Sequence, residues 1–406
     1  MTQAAPIRPE QFPLARECPF SPPAEYAELR EQEPIAKVRL ITGKWAWAVS
    51  RHEDVRAMLS DPRFSSDREN PNFPVMVSGG RLRPEGEKVE KSLISMDAPA
   101  HGPARRAVLG EFTVRRMEAL RPRIQAIVDE RIDAVLASDG PVDLVRELSL
   151  PVPSLVICEL LGVPYSDHDF FQKHTSTMIS RVATAPQRFG AFQAIEGYLS
   201  DLIDVKEQDP SEDDLLGRQI LKGREQGDYR HEALVAMAFL LLVAGHETTA
   251  NMISLGTVAL LENPDQLAKV TADPSKTLSA VEELLRYFTI VDTVTARVAT
   301  EDVELGGVTI RAGEGVLGLG YSANRDPEAF EDPDALDIER GARHHVAFGF
   351  GAHQCLGQNL ARMELQIVID TLFRRIPGLA LAEPVEKLAF KDEAAIYGMH
   401  SLPVTW

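Results

Sequence analysis

The chain has 406 residues, of which 44% are hydrophobic and 26% charged, and a formal net charge of −18. That balance is globular and excludes disorder, collagen and a disulfide-dense scaffold, and the acidic total argues against nonspecific binding to nucleic acid or anionic membrane. Cys18, Cys158 and Cys355 form no CxxC pair, so neither a disulfide framework nor a zinc knuckle is expected and the usage fits a reducing compartment.

Residues 1–23 carry six prolines and read as an irregular lead-in without the apolar stretch of a signal peptide. Residues 24–33 read as a short helix. Ile35–Ile41 and Trp45–Ser50 alternate around Thr42-Gly43-Lys44 and predict a β-hairpin. Ser50 and Glu53 have the spacing of a capping box opening a helix to Leu59. Residues 61–95 hold four prolines and three glycines. So long a loop in a compact protein is either a lid over a binding site or a solvated insertion.

Helical periodicity dominates from 101 to 290, with Pro122, Pro151 and Pro164 as starts or breaks and Gly162 past a helix end. The stretch 231–261 has no proline and would run roughly 46 Å at 1.5 Å per residue. Its apolar run Ala233–Gly245 is 13 residues long, short of the ~20 a membrane span needs, so it predicts a buried core helix and no membrane association. A helix is expected over 277–287. Short strands follow with turns at Gly306-Gly307 and Ala312-Gly313. Residues 325–343 are irregular, a helix runs over 356–375, and the tail is short strands. The expectation is a mainly α protein with a small β subdomain, residues 1–406 forming one domain.

The stretch Phe348-Gly-Phe-Gly-Ala-His-Gln-Cys355-Leu-Gly357 is the most informative. Its glycines permit tight turns and close approach of a flat ligand. Cys355 sits where a loop meets a helix N-terminus, where N–H groups and the helix dipole stabilise a thiolate. A soft metal ligand is the reading it supports best. A buried core cysteine or a nucleophile are the alternatives; the former suits Cys158, within Leu155–Leu161.

The spacing Phe348-x-x-Gly351-x-His353-x-Cys355-x-Gly357-x-x-x-Ala361-Arg362 resembles the haem-ligand signature of the cytochrome P450 haem-thiolate monooxygenases, in particular soluble actinobacterial members acting on secondary metabolites and drug-like compounds. The resemblance implies one haem b per chain with Cys355 as axial ligand. Ala244-Gly-His-Glu-Thr-Thr249 places several unfavourable choices in one buried helical turn, as functional sites do, and resembles the family's oxygen-activation turn. It implies Thr248 and Glu247 as the catalytic alcohol and proton-relaying acid, and Gly245 as the residue leaving room for dioxygen. His246 is assigned packing or hydrogen bonding. Glu283-x-x-Arg286, with Arg340, resembles the family's buried structural network. Asp97–Arg106 resembles its Pro-x-His-x-x-x-Arg stretch, which makes His101 and Arg105, with His353 and Arg297, the ligands of the haem propionates. Substrate contacts are expected at Ile94, Val243, Ala244, Ile290, Val294 and Ile396, under the 61–95 loop.

From His101 to Arg123 there are six arginines against two glutamates. With Arg343, Arg362, Arg374 and Arg375 they suit docking of an acidic ferredoxin, although solvated helix faces explain the same charges. The resemblance thus implies hydroxylation of a lipophilic small molecule (polyketide, steroid-like or drug-like), with O2 as co-substrate and electrons from NAD(P)H through ferredoxin reductase and ferredoxin, in the cytoplasm. A thiolate-haem sensor, or a peroxide-driven or coupling enzyme on the same fold, are the alternatives.

Overall fold

The computed structural model describes residues 12–77, 90–292 and 295–406. Helices dominate, and the hydrophobic interior divides into three clusters. The largest joins the helices Val114–Leu136, Pro151–Leu161, His231–Glu262, Thr277–Phe288 and Gln358–Arg375, and two smaller ones lie against the sheet. The expected long helix spans His231–Glu262 and is the axis of the molecule. By length and hydropathy alone it could cross a membrane. Here the helices Pro151–Leu161, Ala185–Gln208, Thr277–Phe288 and Gln358–Arg375 pack around it, which makes it a core helix buried by protein rather than lipid.

The hairpin forms as Ile35–Arg39 against Trp45–Val49, in the register Ile35↔Val49. It is one edge of a five-stranded sheet that continues through Gly315–Gly318 and Ala296–Ala299 to Phe64–Ser65. Trp45–Val49 and Gly315–Gly318 run parallel, so residues far apart in sequence close one sheet. The Gly306-Gly307 turn has φ of +52° and +79°, the left-handed pair that a tight two-residue hairpin requires.

Two local expectations are overturned. Ser50 caps no helix: its hydroxyl donates to the Pro34 carbonyl. The helix is His52–Ser60, and its first N–H, that of His52, donates to Asp326 Oδ2 at 2.8 Å. A side chain 274 positions away fills the capping role. Pro122 neither starts nor breaks a helix but lies inside Val114–Leu136. An interior proline costs about 3 kcal/mol. Burial of Met117, Ile124, Ile127, Val128, Ile132 and Val135 on the same helix outweighs it. Pro151 stands at the first helical position and Gly162 is left-handed at φ +71°, as expected.

Candidate haem-thiolate site

The cysteine loop is built by backbone constraint. Gly349 and Gly351 have φ of +67° and +71°. A Cβ on Gly351 would lie 2.5 Å from the Leu59 carbonyl oxygen, so the loop can press against the end of His52–Ser60 only because that position has no side chain. The Cys355 N–H donates to the Phe348 carbonyl at 2.8 Å, closing the loop. Burial pushes the Cys355 thiol up. The backbone N–H groups of Gly357 and Gln358, with the charges of Arg105 and Arg362, oppose that rise and favour a thiolate. Cys158 has no such donors, and burial pushes it up to about 12. Cys18 is exposed.

Four residues read from the sequence gather beside this loop. His101 opens the helix His101–Leu109, and its ring lies 4.1 Å from that of His353. His353 Nε2 is 2.8 Å from Ser66 Oγ, and Arg105 Nη2 donates to the Gln354 carbonyl at 2.6 Å. Arg297, on the strand Ala296–Ala299, is buried and donates to the Ala296 carbonyl at 2.8 Å. Among the described residues it has no ion-pair partner. Burial and the nearby Arg68 pull it down to about 10. His353 is depressed to about 4 by burial, then by Arg297 and His101. Asp97 is the acid felt by this group, and it also accepts from the Ser65 hydroxyl and, at 2.8 Å, from the Ser66 N–H. His101 Nε2 is buried with no partner. A buried orphan donor and an arginine without a carboxylate, in a cluster short of negative charge, fit a ligand bearing two carboxylates, as haem does. Arg68 was not foreseen. No motif surrounds it, and only the folded chain brings it to Arg297.

The central helix carries a second signature. Ala244 is exposed at mid-helix while Leu241, Leu242, His246 and Glu247 around it are buried. Leu240, Val243 and Thr248 are half-buried. These four, at i, i+3, i+4 and i+8, share one face and form a mostly apolar stripe ending in an alcohol. The Thr248 hydroxyl donates to the Ala244 carbonyl at 2.7 Å.

One neighbour differs from expectation, and the other gains partners that the sequence did not name. A Cβ on Gly245 would meet Ile157 Cδ1 at 3.1 Å, so this glycine serves helix–helix approach rather than making room for dioxygen. Glu247 is not a bare carboxylate. Lys391 Nζ lies 3.2 Å from its Oε2, and Asn251 Nδ2 3.4 Å from the same oxygen. His246 is buried, with Nε2 unpartnered, and burial lowers its pKa and keeps it neutral. Of the expected substrate contacts, Val243 and Ala244 lie on the stripe and Ile94 is half-buried. Ile290 and Ile396 are buried among core residues, and Val294 lies outside the described residues.

Glu283 and Arg286 form the expected buried network, both side chains fully inaccessible at 2.7 Å. Arg340 Nε reaches Glu283 Oε1 at 3.1 Å, and the Asp337 N–H donates to the same oxygen. Arg286 also donates to the Asn324 and Pro333 carbonyls.

Comparison with known proteins agrees with this geometry. The family model described as Cytochrome P450 matches residues 49–376. The chain belongs to the cytochrome P450 family. It is 48% identical over 402 residues to the pentalenic acid synthase of Streptomyces avermitilis, covering 98% of each chain. It is 46% identical to the vitamin D3 dihydroxylase of Streptomyces griseolus, covering 97% of this chain and 96% of that one. The crystal structure of cytochrome P450 MoxA from Nonomuraea recticatena is 59% identical and superposes with a TM-score of 0.89, covering 98% of this chain and 99% of that one. As a P450, the chain is a haem-thiolate monooxygenase that takes haem b on the Cys355 sulfur and uses O2, a lipophilic substrate and redox partners.

Proposed function

We propose that this P450 hydroxylates a lipophilic secondary metabolite or drug-like compound lying along the stripe Leu240, Val243, Ala244 and Thr248, with electrons delivered singly by a ferredoxin and its NAD(P)H-dependent reductase. Relatives named for pentalenic acid, vitamin D3 and a mycaminosyltylactone support a lipophilic substrate of terpenoid, steroid-like or polyketide type. The single observation that carries the reading is the exposure of Ala244 in mid-helix, with half-buried Leu240, Val243 and Thr248 on the same face, since ligand chambers are mostly apolar with few polar anchors. Ile94, Ile290 and Ile396 complete the proposed walls.

When bound, thiolate-ligated haem supplies the reductive activation of O2, one atom entering the substrate and the other leaving as water. The protein does the rest. His101, Arg105, Arg297 and His353, with Arg68 added, would hold the propionates and so anchor the group. The apolar stripe keeps bulk water from the reacting carbon. Thr248 Oγ1 gives its hydrogen to the Ala244 carbonyl, which leaves its lone pairs to accept from a bound water or substrate. Glu247, its Oε2 held by Lys391 Nζ at 3.2 Å, is the acid placed to relay protons through water.

Electron supply is read from the surface. Arg121 and Arg123 are paired with Glu118 and Glu159, and Arg375 with Asp129 and Asp133. Arg362 is engaged by Glu282. Arg106, Arg115 and Arg343 are exposed and have no ion-pair partner among the described residues. They offer the cationic docking face for an acidic ferredoxin in the cytoplasm.

The test is turnover with reconstituted ferredoxin and reductase on a panel of terpenoids, sterols and macrolides, chosen by the optical shift each induces. A hydroxylated product is expected. In Thr248→Ala, product formed per electron consumed should fall about a hundredfold, the low end of the usual scale for a lost proton-transfer group. Full coupling in that variant would overturn the role of Thr248.

A further inference from the structure

Glu282, beside Glu283 on the same helix, anchors a second buried network. Its Oε1 accepts from Arg362 Nε at 2.6 Å, and its Oε2 accepts from Arg362 Nη2 and lies next to His345 Nε2, both at 3.1 Å. Burial pushes this carboxyl up, but the His345 and Arg362 hydrogen bonds outweigh it and hold Glu282 at about 2. Fixed on this side, Arg362 reaches both flanks of the cysteine loop. Its guanidinium carbon lies 4.6 Å from the centroid of the Phe348 ring, and Nη1 donates to Gln358 Oε1 at 2.9 Å. His345 adds a third tie, its Nδ1 accepting the Ala347 N–H at 3.2 Å.

Those flanks carry the atoms that surround the sulfur. The Phe348 carbonyl accepts the Cys355 N–H, and the Gln358 N–H is one of the donors to Cys355 Sγ. The donors around a ligating thiolate set how much electron density it passes to its metal, and outer partners that orient them tune the metal's potential.

We propose that Glu282, His345 and Arg362 are positioning residues for the thiolate: they brace Phe348 and Gln358 and thereby set the reduction potential of the bound cofactor. Glu283, Arg286 and Arg340 reach none of the loop's flanking residues among the described contacts, so the two adjacent networks have separate tasks.

The experiment uses haem-loaded enzyme carrying Arg362→Gln, Arg362→Lys, Phe348→Leu and the Arg362→Lys/Phe348→Leu double change. The midpoint potential, the ferrous–CO absorption band and haem content per chain are measured. Loosened N–H donors leave more density on sulfur, so Arg362→Gln should lower the potential by a tenfold shift in the one-electron equilibrium, about 59 mV. Arg362→Lys, which keeps the charge but loses the planar fork, should fall between. The Lys and Leu changes should be non-additive, because they break one contact. A parental potential in haem-replete Arg362→Gln, or additive shifts in the double variant, would overturn the brace. If Arg362→Gln fails to retain haem, Arg362→Lys and Phe348→Leu decide by the same two criteria.

Discussion

The molecule holds two kinds of buried charge within a short stretch of chain, and they differ in balance. Around Glu282 and Glu283, among the described residues, each arginine meets a carboxylate: Arg286, Arg340 and Arg362 are all engaged, and His345 Nε2 lies against Glu282. Around His353, among the described residues, the cations outnumber the acids, and one ring nitrogen, His101 Nε2, has no partner. A balanced cluster is complete in the protein alone and holds the fold. An unbalanced one is complete only with something the protein does not supply. The difference is the one that the proposed binding of the haem propionates at this cluster requires.

The sharpest way to break this comparison is to remove one charge from each cluster. Glu283→Gln leaves Arg286 buried without its counter-charge, a loss of roughly 3–5 kcal/mol, and the thermal midpoint of the haem-free protein should drop steeply. Arg297→Gln removes a cation from a self-repelling group. It should leave the haem-free protein equally or slightly more stable while weakening haem retention by roughly 1–3 kcal/mol, the scale of a charge-assisted hydrogen bond, read by haem transfer to an acceptor globin. Equal destabilisation by both would erase the distinction.

Glu364 sharpens it from a third side. This carboxyl is buried on the helix Gln358–Arg375, Oε2 has no partner, and burial pushes it up to about 8. The folded state therefore binds its proton more tightly than the unfolded chain, whose carboxyl titrates near 4.5. Stability from this group is full below that value, falls as pH rises to about 8, and is flat beyond. Glu364→Gln cannot ionise, so its stability relative to the parent should improve by roughly 3 kcal/mol between pH 5 and 8. Parallel denaturation curves at the two pH values would refute it.

The smallest expected effect is at Lys391. Lys391→Met leaves Glu247 with Asn251 alone. The product formed per electron consumed should fall, with stability changed by about 1–3 kcal/mol, the usual penalty for an unsatisfied buried group.

Legibility in the sequence followed the range of the interaction. The central helix, the cysteine loop and the Glu283–Arg286 pair were readable because neighbours in the chain carry them: an apolar run, fixed spacings, one helical turn. The cap on His52 was misread because Asp326 supplies it. Gly245 was misread because Ile157, on another helix, occupies the space beside it. Pro122 survives inside a helix because burial elsewhere on that helix exceeds its local cost. Lys391 and Arg68 carry no local pattern at all; only the folded chain brings them to Glu247 and Arg297.

The three cysteines now divide by availability. Cys355 is committed to the prosthetic group and Cys158 is sealed in the interior, which leaves Cys18 on the surface as a single handle for thiol-selective reagents. A maleimide dye, a spin probe or an electrode tether can be attached there at one copy per holoenzyme with no engineered mutation, so electron arrival can be followed in the native sequence.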